Sequence, residues 1–163
     1  MEMTVKGPSR EIRAPGRRVL VIAAWREEDR ALRAMVTQLK EQVPCAFEII
    51  NMDSPTAVRY RDSSRALYGR IRRYDAAVYA LTARDGAASP ALALPGGRLP
   101  FGRCFLRRIP AFYLVSGPLT EELEAAIDTH ARAWHLFSAS IASDNEKGGD
   151  ESLAAALKSL LTR

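Results

Sequence analysis

VLVIAA at residues 19–24, followed by REEDRALRAMVTQLKEQV at residues 26–43, decides the fold. The first run is apolar without alternation, which is the pattern of a short strand covered on both faces, as in a parallel sheet. In the second, Leu32, Met35, Val36, Leu39 and Val43 recur at helical spacing. A buried strand therefore leads directly into an amphipathic helix, and Glu27, Glu28 and Asp29 fall where a first helical turn favours negative charge.

Working outward, the same alternation repeats. Pro44 stops the helix, and FEIINM at residues 47–52 reads as a second strand ending in the turn residues Asp53, Ser54 and Pro55. A helix is predicted from Asp62 or Ser63 to about Arg73, with Leu67 and Ile71 inward and its arginines outward. AAVYALTA at residues 76–83 is a third strand, and IPAFYLV at residues 109–115 a fourth. Thr120 caps a helix that opens with Glu121 and Glu122 and continues to about His135. Residues 137–142 suit an edge-like fifth strand, DNEKGGD a solvated loop, and residues 151–162 a final helix. Residues 1–16 show no periodicity and read as a disordered or loosely ordered arm, leaving 17–163 as one α/β domain.

Strand and helix alternating in this way predict a doubly wound, mostly parallel five-stranded sheet in the flavodoxin-like order 2-1-3-4-5. In such a sheet ligands bind beyond the carboxyl ends of the strands, where the order reverses between the first and third. The candidate crevice is thus built from residues 24–29, 82–90 and 116–120. Its ligand-binding candidates are Trp25, Arg26, Ser54, Thr82, Arg84, Ser116 and Gly117. Asp29, one helical turn past the first strand, and Asp85, beside Gly86, are the candidate carboxylates.

Composition narrows the function classes. The 163 residues carry a net charge of +5, and arginine outnumbers lysine 20 to 4. The arginines are scattered rather than gathered into one tract and aromatic residues are few, so nucleic acid is not favoured as a partner. No apolar run reaches the ~20 residues of a membrane span, and there is no secretory signal, which predicts a soluble cytoplasmic protein. Cys45 and Cys104 lack metal-ligand spacing, and His130 and His135 stand at i and i+5 on a predicted helix, a poor spacing for shared ligation. No metal site is expected.

Nucleotide-binding fingerprints are missing: neither GxGxxG nor a Walker loop follows the first strand. Acids at the starts of two helices, Glu27 to Asp29 and Glu121 with Glu122, oppose a phosphate such as that of flavin mononucleotide (FMN). The segment from Ala83 to Arg108 is long for a structureless connection. Arg98, Arg103, Arg107 and Arg108 would suit an anion-binding lid, and Ala91 to Leu94 a contact surface for a protein partner or a second copy.

Three stretches, VLVIAAW with Asp29, FEIINMDSP, and RALYGRIRRYDAAVYALTA, together resemble a bacterial TIR-like domain of the kind found in antiphage defence, over residues 19–115. The resemblance implies an NAD-derived or related nucleotide that is bound, sensed or processed, by N-glycosidase or nucleotide cyclase-type chemistry, or a protein-interaction role. NAD-cleaving members carry a glutamate shortly after the third strand, whereas this chain has none between Glu48 and Glu121. Asp29 or Asp85 would have to take its place as catalytic residue. The alternatives are a divergent flavodoxin-like FMN-binding redox protein and a non-catalytic interaction module.

Overall fold

The computed structural model describes residues 17–92, 109–135, 139–143 and 149–161. The expectations for residues 1–16, 93–108 and 144–148, and for the ends of the predicted last strand and helix at 137–138 and 162, lie outside it. Five strands form one sheet: β1 (Arg18–Ala23), β2 (Ala46–Asn51), β3 (Ala76–Thr82), β4 (Ala111–Ser116) and β5 (Ser140–Ser143). Every pairing is parallel and the order is β2-β1-β3-β4-β5, a flavodoxin-like sheet. The helices are α1 (Arg30–Gln42), α2 (Val58–Asp62), α3 (Ser64–Ile71), α4 (Glu121–Trp134) and α5 (Gly149–Leu161).

Strand alternation divides the core between the two faces of the sheet. Val19, Val21 and Ala23 of β1, with Val78, Ala80 and Leu114, pack under α1 and α5, where Leu32, Met35, Val36, Leu39 and Leu157 meet them. Leu20 and Ile22, with Tyr79, Leu81, Tyr113 and Val115, face the other way, against Leu67 and Ile71 of α3 and Leu123, Ile127 and Trp134 of α4. All seven residues of β3 are buried. At roughly 1.5–3 kcal/mol for each large side chain removed from water, the central strands anchor the domain.

Sequence and structure part in four places. The three acids of the first connection precede α1 rather than occupying its first turn, which contains none. Arg33 explains this, because its guanidinium holds the Arg26 and Glu27 carbonyls at 3.1 and 2.6 Å and ties the chain into a turn before the helix. The predicted second helix is α3, which Ser63 caps through its hydroxyl on the Ala66 amide, but a short helix that the sequence reading did not include, α2, precedes it, with Ser63 extended between the two. Residues 86–88 and 90–92 form single helical turns. Ala91 and Leu92 belong to the chain's own core, so these two residues of the expected contact surface are covered; Ala93 and Leu94 lie outside the described residues, as do the four lid arginines.

One face of the core is unusually polar. Tyr79 and Tyr113 are opposite each other on β3 and β4, with rings stacked 5.0 Å apart. His135 donates from Nδ1 to the Ile109 carbonyl at 2.8 Å, so its Nε2 accepts from the Tyr79 hydroxyl at 2.7 Å. His130 bonds the Tyr113 hydroxyl through Nδ1, also at 2.7 Å. Burial holds both imidazoles neutral, pushing His130 down to about 3, with His135 nearby adding to the effect, and His135 down to about 4.

Unfolding returns both histidines to about 6.5, so between that pH and 4 the unfolded chain binds more protons than the folded one. Stability should therefore fall as pH drops through this window, by up to ~1.4 kcal/mol per pH unit for each histidine. Urea unfolding at pH 7, 6 and 5 measures the slope; a flat profile would show that the imidazoles reach solvent in the fold.

Candidate functional site

The carboxyl end of β1 opens into the crevice where strand order reverses. The amide of Ala24 still reaches the Ala80 carbonyl at 3.2 Å, and the chain then leaves the sheet. Asn51, the last residue of β2, catches it with both ends of its side chain. Its Oδ1 accepts from the Trp25 amide at 3.2 Å and its Nδ2 donates to the Trp25 carbonyl at 3.0 Å. Half-buried Trp25 is thereby fixed against the α1 and α5 face of the core. Asn51 escaped the sequence reading; the signal was a polar residue directly after the apolar pair Ile49-Ile50 at the end of the strand.

Asp29 sits at the start of α1 but does not cap it. Its carboxylate accepts from the Arg26 amide at 2.8 Å and takes both terminal nitrogens of Arg84, at 2.6 and 3.0 Å. This fork crosses from the β3 loop to the β1 loop. The Asp29 side chain is 8% exposed and that of Arg84 44%. The Arg84 bond holds Asp29 below the usual carboxylate range, against the opposing effect of burial, and the Arg26 amide adds to the lowering. Asp85 lies 3.5 Å from Arg84 and 3.9 Å from Arg26, and Asp53 lies 3.6 Å from Arg26. Three carboxylates and two guanidiniums thus meet across three loops, with Asp53 the member that sequence reasoning passed over.

The remaining candidates are placed as follows. Thr82 is buried at the end of β3, its Oγ1 accepting from the Asp85 amide at 3.3 Å. Ser54 uses its hydroxyl on the Thr56 amide and side chain, within the turn beside Asp53. Arg61 holds that turn through the Met52 and Ser54 carbonyls, both at 2.7 Å. On the opposite rim, the Ser116 carbonyl accepts from the Ala83 amide at 2.8 Å, and that of Gly117 accepts from the Ser143 hydroxyl at 2.9 Å. Gly117 has φ of 106°, and a Cβ there would stand 2.8 Å from that of Ala83. Gly86, at φ of 55°, has nothing within 4 Å of the same point. No group of three metal-binding side chains exists among the described residues, and no described helix is long and apolar enough to cross a membrane.

No protein-family model matches this sequence, and no curated protein matches it significantly. Solved structures do resemble it. Smu.1420 from Streptococcus mutans UA159 superposes with a TM-score of 0.53 at 7% identity, covering 88% of this chain and 98% of that one. An FMN-dependent NADH-azoreductase from Bacillus anthracis, determined with FMN, gives 0.49 at 10% identity, covering 89% and 99%. The likeness to Smu.1420 is one of fold alone and accords with the flavodoxin-like strand order.

The two glycines of the rim separate backbone strain from steric contact. Gly86→Ala should cost about 1–2 kcal/mol, the penalty of a side chain at positive φ. Gly117→Ala should cost roughly 2–4 kcal/mol, because its methyl group also drives the β3 and β4 loops apart. Chemical denaturation of the two variants gives the comparison, and equal losses would mean that the rim yields freely.

Proposed function

We propose that this chain is a flavodoxin-like module that binds a flavin nucleotide, FMN in the first instance, in the crevice between the loops after β1, β3 and β4. The observation that carries the reading is the convergence of the Arg84 fork and the Arg26 amide on one carboxylate at the strand-order reversal. Donors arranged in this way suit a phosphate as well as they suit Asp29, since a guanidinium fork and a backbone amide are common phosphate ligands. Asp29 acts as an internal counter-anion, and a bound phosphate takes its place. Trp25 offers an aromatic surface for the ring system. A flavin, when bound, supplies one- and two-electron transfer.

The residues present fit the group on one condition. Glu27 and Glu28 are exposed beside the turn and add negative charge there, so the phosphate must be held chiefly by Arg84 and Arg26. NAD processing, which the TIR-like resemblance implies, draws less support from the geometry. Both oxygens of Asp29 are engaged by Arg84, and Asp85 lies within 4 Å of two guanidiniums.

Thermal-shift titration with FMN, riboflavin, NAD and ADP-ribose tests the reading. FMN should stabilise the protein by ligand linkage, and riboflavin less, because it lacks the phosphate. Asp29→Asn should tighten FMN about tenfold, the equivalent of roughly 1.4 kcal/mol of relieved repulsion, and Arg84→Ala should abolish the difference between FMN and riboflavin. Absence of any FMN shift in both the wild type and Asp29→Asn would overturn the assignment. Nicotinamide release from NAD would transfer the crevice to NAD processing.

A further inference from the structure

Outside the crevice, basic charge gathers on α2, α3 and the two residues that follow α3. Residues 59–73 contain six arginines and a single acid, Asp62. Four of those arginines, expected from the sequence to be scattered, gather around one groove of about 510 Å³ between the two helices, with no acidic residue in its lining. That volume is in the range of small-molecule sites.

The groove is built rather than incidental. Arg70 lines the groove with each of its three nitrogens engaged, donating from Nε to the Tyr74 hydroxyl at 3.0 Å, from Nη1 to the Tyr60 hydroxyl at 3.1 Å and from Nη2 to Glu48 at 2.6 Å. It thereby fixes Tyr60, and Arg59 lies over the Tyr60 ring at 5.6 Å. Arg59, Arg65 and Arg73 are exposed around the rim. Gly69 lies among the lining residues, inside α3. A helix-interior glycine is destabilising relative to alanine, and packing does not require this one, since a Cβ there would meet nothing within 4 Å. What the glycine does provide is open space between the guanidiniums.

We propose that this groove is a second binding site, for a compact polyphosphorylated small molecule whose phosphate chain is held by Arg59, Arg65 and Arg73 and by the Ser63 hydroxyl. Guanidiniums are the preferred partners of phosphate oxygens, and Ser63 Oγ accepts from Ala66 while keeping its own proton to donate. A nucleic-acid strand fits less well. Sequence-tolerant binding of single strands uses aromatic platforms along a continuous basic track. Here Tyr60 is the one aromatic residue of the lining, and Arg59 lies over its ring.

Calorimetric titration of the full chain with sodium tripolyphosphate, ATP and single-stranded oligothymidylate tests the proposal. Tripolyphosphate and ATP should bind with an affinity that falls as salt is raised. Tighter binding of ATP than of tripolyphosphate would identify a nucleotide as the source of the phosphates, and equal binding the phosphate chain itself. Gly69→Met should weaken both ligands at least about tenfold by filling the groove while leaving Tm at or above the wild-type value, and Arg65→Ala with Arg73→Ala should weaken them comparably. Unchanged binding in Gly69→Met, loss of binding in Arg84→Ala alone, or oligothymidylate affinity that grows with length and exceeds that of ATP would each overturn it.

Discussion

The structure depends on a central strand with no face left for water. β1 pairs with β2 on one side and β3 on the other, and its side chains from Val19 to Ala23 are fully buried on both faces of the sheet. A strand enclosed in this way must be covered by helices on two sides, and parallel neighbours require crossovers to supply them. Variation is then left to the loops at the strand ends. The loops after β1, β2 and β3 meet at the strand-order reversal, and polar and charged side chains accumulate there because the sheet itself has no room for them.

Those charges satisfy one another rather than waiting for a ligand. Arg84 and Asp29 tie two loops together, Asn51 fixes a third to Trp25, and Arg33 and Arg61 hold the turns on either side through backbone carbonyls. Preorganisation of this kind lowers the ordering cost of binding, but it sets an internal competitor at the same place. On the flavin reading proposed above, such a crevice would select a ligand with enough ring surface and enough charge to replace Asp29.

The fold was legible from residues because its signals are local. VLVIAA and AAVYALTA announce buried strands by their lack of alternation, Pro44 and Thr120 mark helix boundaries, and Leu32 to Val43 carry a clean helical period. The site was legible only in outline. Arg26, Asp29, Arg84 and Asp85 could be placed near one another from the topology, but the Arg84 fork on Asp29 spans 55 residues and has no local signature. Asp53 and Asn51 joined the cluster through β2 register, which a single sequence does not print. The split between α2 and α3 was hidden because α2 itself was, the predicted helix starting only at Asp62 or Ser63. Ser63 has a helix-starting role that composition shows plainly, yet the preceding turn of helix, residues 58–62, buries no side chain and so lacks a hydrophobic period. The arginine groove depends on that split, and it appears only when the two short helices are folded against each other.

The hydroxyl-to-imidazole pairs inside the α4 face have a consequence for how this chain changes over generations. Tyr79 with His135, and Tyr113 with His130, are matched donors and acceptors in a space that excludes water. Replacing one partner strands the other with an unmet polar atom, whereas replacing both by apolar rings of similar shape removes that need, leaving only the Ile109 carbonyl to be satisfied where His135 is lost. The two rings of each pair therefore form a single heritable unit. Homologues should keep both or exchange both, and a lineage holding half a pair would mark a transition in progress.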